Sequence, residues 1–349
     1  MDRKTLELFV CSACGAELRL EEGAAQNGRV VEGLLRCVGC STKFPIIRSM
    51  PRFVPSEDYA ATFGYQWNRF DRLQLDRHMR NDLSRERFYT TTHWPARLEG
   101  QRILEAGCGM GRFTQIALET GAEVFSFDLS NAVEANYRNN GDSPQVRIFQ
   151  ASIYEIPLRK GIFDKIFCLG VLQHCPDVKG AFMNLVPYLC RGGEIVVDCY
   201  LRHKFIPPLK YWVRPFVRQM EPQTLHKLLS WTIPPAFEVK KALHKIPVAG
   251  PAIGKLIPIG PVSHKPKLDY TDEELKQVKI LSAFDMLSPV HDHPQRIEDV
   301  RGWFQEAGLD TVHIAPGYNG ITARGRKPPA DDGAALRSME RVADGVVER

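Results

Sequence analysis

The apolar positions of this chain follow three different rhythms. Between 101 and 200, short apolar runs alternate with amphipathic stretches, the spacing of parallel α/β units. The pattern predicts strands near Arg102–Ala106, Glu123–Asp128, Val146–Gln150, Phe163–Leu169 and Glu194–Tyr200, and a helix from about Arg112 to Thr120. Residues 201–294 break that rhythm: they are rich in Pro, Lys and His and hold no clear strand. The pattern resumes with a helix over Pro294–Gly308 and strands near Thr311–Ala315 and Gly320–Arg324. Ahead of the core, residues 56–100 are polar, aromatic and helical in pattern, running through Phe63-Gly64-Tyr65-Gln66-Trp67. The expected organisation is a small ribbon at 1–54, a helical cover at 55–100 and a core at 101–200 and 295–327. An insert or substrate lid at 201–294 and a flexible tail at 328–349 complete it.

Composition narrows the class. At 349 residues, 44% hydrophobic and 25% charged, the chain has the balance of a globular protein with a full core. A net charge of +5 without a dense Lys/Arg block does not point to nucleic acid. The start, MDRKTLELFVCSACG, lacks the apolar stretch of a signal peptide, and no run is long enough to cross a bilayer. A cytoplasmic setting is expected, where clustered cysteines read as metal ligands rather than disulfides.

Cys11-Ser12-Ala13-Cys14 and Cys37-Val38-Gly39-Cys40 form two Cys-x2-Cys knuckles separated by 22 residues. Four thiolates on two knuckles make the closed tetrahedral shell that structural Zn²⁺ favours, with no position left for a reacting water. A module of about fifty residues buries little core of its own, and a metal offsets that deficit. The other cysteines, at 108, 168, 175, 190 and 199, read as packing residues.

The most informative stretch runs from Ile103 to Phe113 and contains Glu105-x-Gly107-x-Gly109-x-Gly111 between a strand and a helix. Glycine lets the backbone turn sharply and approach a ligand closely. A pyrophosphate site would not place a carboxylate at the strand end. Glu105 suits instead a ligand with an ammonium group, such as the methionine end of S-adenosylmethionine. Asp128 closes the next strand seventeen residues beyond Gly111, near the spacing at which a carboxylate takes a ribose diol. Asp128 also reads as a cap for the segment Leu129-Ser130-Asn131, and the two roles are compatible.

These residues resemble the class I S-adenosylmethionine-dependent methyltransferase family, of the type 11 kind, over about 102–200 and 295–325. The resemblance implies a doubly wound, Rossmann-like, seven-stranded α/β sheet with the insert after its fifth strand. It implies that Glu105, Gly107, Gly109, Gly111 and Asp128 bind the cofactor. Gln150-Ala151-Ser152-Ile153 resembles the adenine turn, with Ser152 where Asp is usual and Ile153 beside it. The run from Phe163 to His174 resembles the fourth motif, so that Leu169 and Gln173 line the cofactor and His174 lies near the transferred methyl. The ribbon resembles small modules attached to, or partnering, several methyltransferases.

Two departures narrow the chemistry. Leu169-Gly170-Val171-Leu172 replaces the Asn/Asp-Pro-Pro-Tyr/Phe run of enzymes that methylate DNA adenine or protein glutamine. Cys175-Pro176 reverses the Pro-Cys order of RNA cytosine C5 enzymes. His174, His291 and His293 are the candidate bases, needed only if the acceptor must lose a proton. The leading reading is methyl transfer to oxygen or nitrogen of a small or medium acceptor: a sugar, a glycan or a secondary metabolite. Beside it stand an RNA methyltransferase that grips rRNA or tRNA with its ribbon, and a non-catalytic partner protein. The segment 202–231 interleaves Lys204, Lys210, Arg214 and Arg218 with Phe205, Tyr211, Trp212 and Phe216. It reads as a lid with its apolar face over the active site, or as a peripheral contact with anionic lipid.

Overall fold

The cysteine-rich start forms an antiparallel meander of four strands in sequence order: β1 (Leu18–Gln26), β2 (Arg29–Cys37), β3 (Lys43–Ile47) and β4 (Met50–Pro51). The computed structural model describes residues 3–26, 28–54, 59–202, 210–246, 249–254, 257–259, 262 and 270–329. The expected tail therefore lies outside the described residues from 330 onward.

Each apolar run between 101 and 200 becomes a strand: β5 (Arg102–Ala106), β6 (Glu123–Asp128), β7 (Val146–Gln150), β8 (Phe163–Cys168) and β9 (Leu189–Cys199). These five are parallel, and most of their residues are buried, as helices on both faces require. After the insert come β10 (Asp310–Gly317) and β11 (Gly320–Arg326), the latter antiparallel to both neighbours. The order β10-β11-β9-β8-β5-β6-β7 is the expected seven-stranded, doubly wound sheet. Its direction of winding reverses between β5 and β8. Sheets of this type open a ligand crevice at the carboxyl ends of the strands beside that switch point.

The ribbon is not a separate body. Phe9 stacks on Phe53 with ring centroids 5.5 Å apart, and Phe9 meets Phe149 of β7 edge-on at 5.1 Å. Phe53 N–H donates to the Gln150 carbonyl at 2.9 Å, and buried Arg52 donates from Nη1 to the Gln150 side chain while pairing with Glu134. Leu35, Cys37 and Ile46 share one apolar cluster with Phe149, Leu158 and Phe163. A ribbon this small does bury little alone, and it shares the core of the large sheet.

The cover consists of helices Ala61–Arg69, Asp76–Met79 and Leu83–Thr92. In the insert, helices Lys210–Val217 and Pro222–Leu243 pack Val217, Leu225, Leu229 and Ile233 onto Ile280, Leu281 and Phe284 of helix Asp272–Leu287. That last helix starts at a capping box of Thr271 and Glu274. No helix among the described residues is long and apolar enough to cross a membrane.

Phe53→Ala removes the ring that joins the two sheets. It should lower stability by about 3–5 kcal/mol, the usual cost of truncating a buried Phe, read as a shifted midpoint in urea melts.

Candidate active site

The glycine turn after β5 is held from both sides. Gly107, Gly109 and Gly111 have φ of 81°, 52° and 86°, the left-handed region open to glycine. A Cβ on Gly107 would lie 2.3 Å from Val171 Cγ2, and one on Gly111 2.2 Å from Asn136 Oδ1. The indole of Trp67, from the cover, closes over Gly109. The turn is tight because the loop after β8, the cover and helix Val133–Asn140 all press on it.

Beneath the turn lies a buried polar network. Ser126 donates to Glu105 Oε2 at 2.7 Å, and Thr114 donates to the same oxygen. The Asn136 amide donates to both hydroxyls, at 3.0 Å to Thr114 and 2.9 Å to Ser126. Asn140 then bridges the Asn136 side chain and the Gly111 carbonyl. Burial, only partly offset by the two hydroxyls, pushes the Glu105 carboxyl up to about 7. Glu105 is buried beneath the turn and is not among the residues of the cavity wall. Gly111 also faces this network rather than the cavity.

The cavity sits at the carboxyl ends of β5, β6, β7 and β8, where the winding predicts it. Its volume is about 1120 Å³, counting the space at its open mouth. Among the expected residues, Gly107, Gly109, Asp128, Ile153, Leu169, Gln173 and His174 line it. Ser152 does not: its hydroxyl accepts from the Tyr154 N–H at 3.2 Å, and Ala151 and Ile153 form the wall instead. Asp128 plays the capping part as well, accepting from Ser130 N–H and Oγ at 2.9 and 2.7 Å and from Gly109 N–H at 2.9 Å. Burial nevertheless raises its carboxyl above the ordinary value.

His174 is buried and its Nδ1 lies 3.0 Å from the His291 carbonyl. A carbonyl only accepts, so Nδ1 carries a proton. His291 and His293 stack on each other with centroids 5.4 Å apart, outside the cavity wall. The described part of 202–231 contributes nothing to that wall either. From the described part of the insert only Asp285 reaches it, held by the Gln66 amide at 2.8 Å.

Several lining residues carried no motif. Arg87 pairs with fully buried Asp198 at 2.7 Å, which also accepts from the Gly170 N–H and from Asn319. Arg112 donates to Ser84 at 2.8 Å and to Gln74 at 3.2 Å, both neutral partners. Burial, with Arg87 nearby, pulls its guanidinium down to about 10. Both guanidiniums lie over the Phe113 ring, at 5.2 and 5.0 Å. Arg87 Nε and Gln173 Oε1 are buried with no hydrogen-bond partner among the described residues. Orphaned polar atoms in a cavity wall are the places where a polar ligand is bound.

The four ribbon cysteines also converge. Their sulfurs lie within 4.8 Å of one another, with Cys11–Cys40 at 3.6 Å and Cys14–Cys37 at 3.4 Å. Four sulfurs about 2.3 Å from one ion stand about 3.8 Å apart in a tetrahedron, so the donor set fits zinc.

Fold and site together define a doubly wound α/β sheet with its ligand crevice at the switch point. Residues 104–197 match the family model Methyltransf_11, a methyltransferase domain. The chain is 24% identical over 241 residues to a sterol 24-C-methyltransferase from Pneumocystis carinii, covering 64% of this chain and 59% of that protein. It is 29% identical over 100 residues to a ubiquinone biosynthesis O-methyltransferase from Coxiella burnetii, covering 28% of this chain and 43% of that one. The chain thus spans less than two thirds of the length of these curated relatives. Human N-acetylserotonin methyltransferase, solved in complex with SAM, superposes with a TM-score of 0.40 at 11% identity, over 79% of this chain and 60% of that one.

The raised carboxyl of Glu105 gives a test of the network. Between about 4.5, its ordinary value, and about 7 the folded state holds more protons than the unfolded one. Stability from this group is therefore full below about 4.5 and lost as pH rises through about 7. Glu105→Gln keeps a neutral acceptor for both hydroxyls. Its stability relative to the parent should rise across that window in denaturant melts run at several pH values, and a constant difference would refute the assignment.

Proposed function

We propose that the chain transfers the methyl group of S-adenosylmethionine to an oxygen or nitrogen of a small or medium acceptor, such as a sugar, a glycan or a secondary metabolite. The observation that carries this reading is the pairing, in one cavity wall, of Asp128 at the end of β6 with Arg112 at the head of the helix after β5. A molecule with a ribose diol at one end and an α-carboxylate at the other asks for that pair. Arg87 and Gln173 stand in the same wall.

S-adenosylmethionine, when bound, supplies an electrophilic methyl on a sulfonium. The protein's part is to hold the two reactants aligned and to keep water out. The rings of Tyr59, Phe63 and Tyr200 stand in the wall. His174, with its Nδ1 proton held by the His291 carbonyl, is the group placed to take a proton from a hydroxyl or ammonium acceptor. The name of the Coxiella relative, an O-methyltransferase, supports the same acceptor class.

Calorimetry with S-adenosylmethionine tests the reading. The parent should bind, and Asp128→Ala and Arg112→Met should each weaken binding about tenfold or more, the cost of a lost charge-assisted hydrogen bond. If the parent binds nothing, or neither substitution matters, methyl transfer is abandoned. Incorporation of labelled methyl into RNA instead of small molecules would move the acceptor to the RNA reading.

Cys11, Cys14, Cys37 and Cys40 are read as a structural Zn²⁺ site in a reducing, cytoplasmic setting. Elemental analysis should find one zinc per chain, lost in Cys37→Ser together with thermal stability. Retention of full stability after chelation would remove the metal from the account.

A further inference from the structure

We propose that the outer face of the insert docks on the surface of an anionic lipid bilayer. The inference stands apart from the methyl-transfer reading, since none of the docking residues lines the cavity. Helix Pro222–Leu243 buries one side, Leu225, Leu229, Ile233 and Phe237, and leaves a second apolar row in solvent. That row is Leu228, Trp231, Pro235, Val239, Ala242 and, just past the helix, Ile246. Its spacing of three and four residues puts the row along one stripe. Trp231 is 77% exposed. On the preceding helix, Lys210–Val217, Arg214 and Val217 face inward, whereas Trp212 and Phe216 are 66% and 78% exposed.

Exposed apolar rows of this length are uncommon on proteins that meet only water. Charge identifies the occupant. Residues 201–294, the whole insert, hold fourteen Lys and Arg against eight Asp and Glu, while the whole chain is only +5. The insert thus carries the positive excess of the chain. Lys227 and Lys245 are exposed on one flank of the apolar stripe, and Arg218 is exposed between the two helices. Tryptophan, leucine and isoleucine in a row flanked by lysine is the make-up of a helix lying in a bilayer interface over anionic headgroups. A second copy would bring a like-charged face, which repels. Nucleic acid would use the lysines but gains nothing from Leu228, Val239 and Ile246, which cannot stack on bases.

The test is co-sedimentation of the full chain with phosphatidylglycerol–phosphatidylcholine vesicles, with pure phosphatidylcholine vesicles and single-stranded RNA as the other arms. The expected result is binding to the anionic vesicles that weakens with salt, a tryptophan blue shift, and little binding to phosphatidylcholine. Lys227→Gln/Lys245→Gln should weaken it about thirtyfold, at about fivefold per cation near the surface. Trp231→Ser/Leu228→Ser should abolish it while S-adenosylmethionine calorimetry and thermal melts stay unchanged. All these side chains are exposed, so the variants fold. Absence of vesicle binding, equal binding to both vesicle types, RNA binding that ignores Trp231→Ser/Leu228→Ser, or a dimer in sedimentation velocity that those substitutions dissolve would each overturn the proposal.

Discussion

A carboxyl group withdrawn from water must be satisfied or neutral, and Glu105 is the place where this chain meets that requirement. Its oxygen takes the hydroxyls of Thr114 and Ser126, which in turn take the amide of Asn136. Through these few bonds the end of β5, the helix after it, β6 and helix Val133–Asn140 are fixed relative to one another. The left-handed glycines then have one path across the top, because Asn136 and Asn140 fill the room a side chain on Gly111 would need. The cavity floor is thus set by a buried hydrogen-bonded network.

The far wall depends on a second buried group. Asp198, at the end of β9, gathers Arg87 from the cover, the Gly170 N–H after β8 and Asn319 from the β10–β11 turn. A buried ion pair contributes little net stability, but breaking it by removing one partner is costly. Its effect here is geometric: four segments far apart in sequence meet beside one cavity. Arg87 then spends one donor on Asp198 and keeps Nε without a partner in the wall.

These two networks separate what the residue order reveals from what it conceals. The strands, the glycine turn, Asp128 and the Cys-x2-Cys pairs are local patterns, and each stands where the pattern puts it. Glu105 was legible as a strand-end acid, but which way it points depends on Thr114 and Asn136, polar residues inside helices with no motif of their own. Ser152 lies in the right turn, yet its hydroxyl bonds the backbone two residues on, as Ser does in tight turns. Arg87, Asp285 and Asn319 reach the cavity only through tertiary packing. Arg112 was visible merely as the absence of a third dinucleotide-type glycine. The segment 202–231 shows the limit of periodicity: an apolar face is predicted well, but what it faces is not. In the fold the aromatic face of Trp212 and Phe216 turns to solvent.

The seam between ribbon and sheet has a consequence for the outer boundary of the fold. β7 is the last strand of the large sheet, and a terminal strand offers unpaired backbone groups to any passing chain. Here the Gln150 carbonyl is already taken by the Phe53 N–H, and Phe149 is roofed by Phe9 and Phe53. The ribbon is thereby an edge guard as well as a metal-sized knot. Removing residues 1–54 would leave all seven strands of the large sheet in the chain, yet it would leave a sticky, aromatic flank of that sheet in open water.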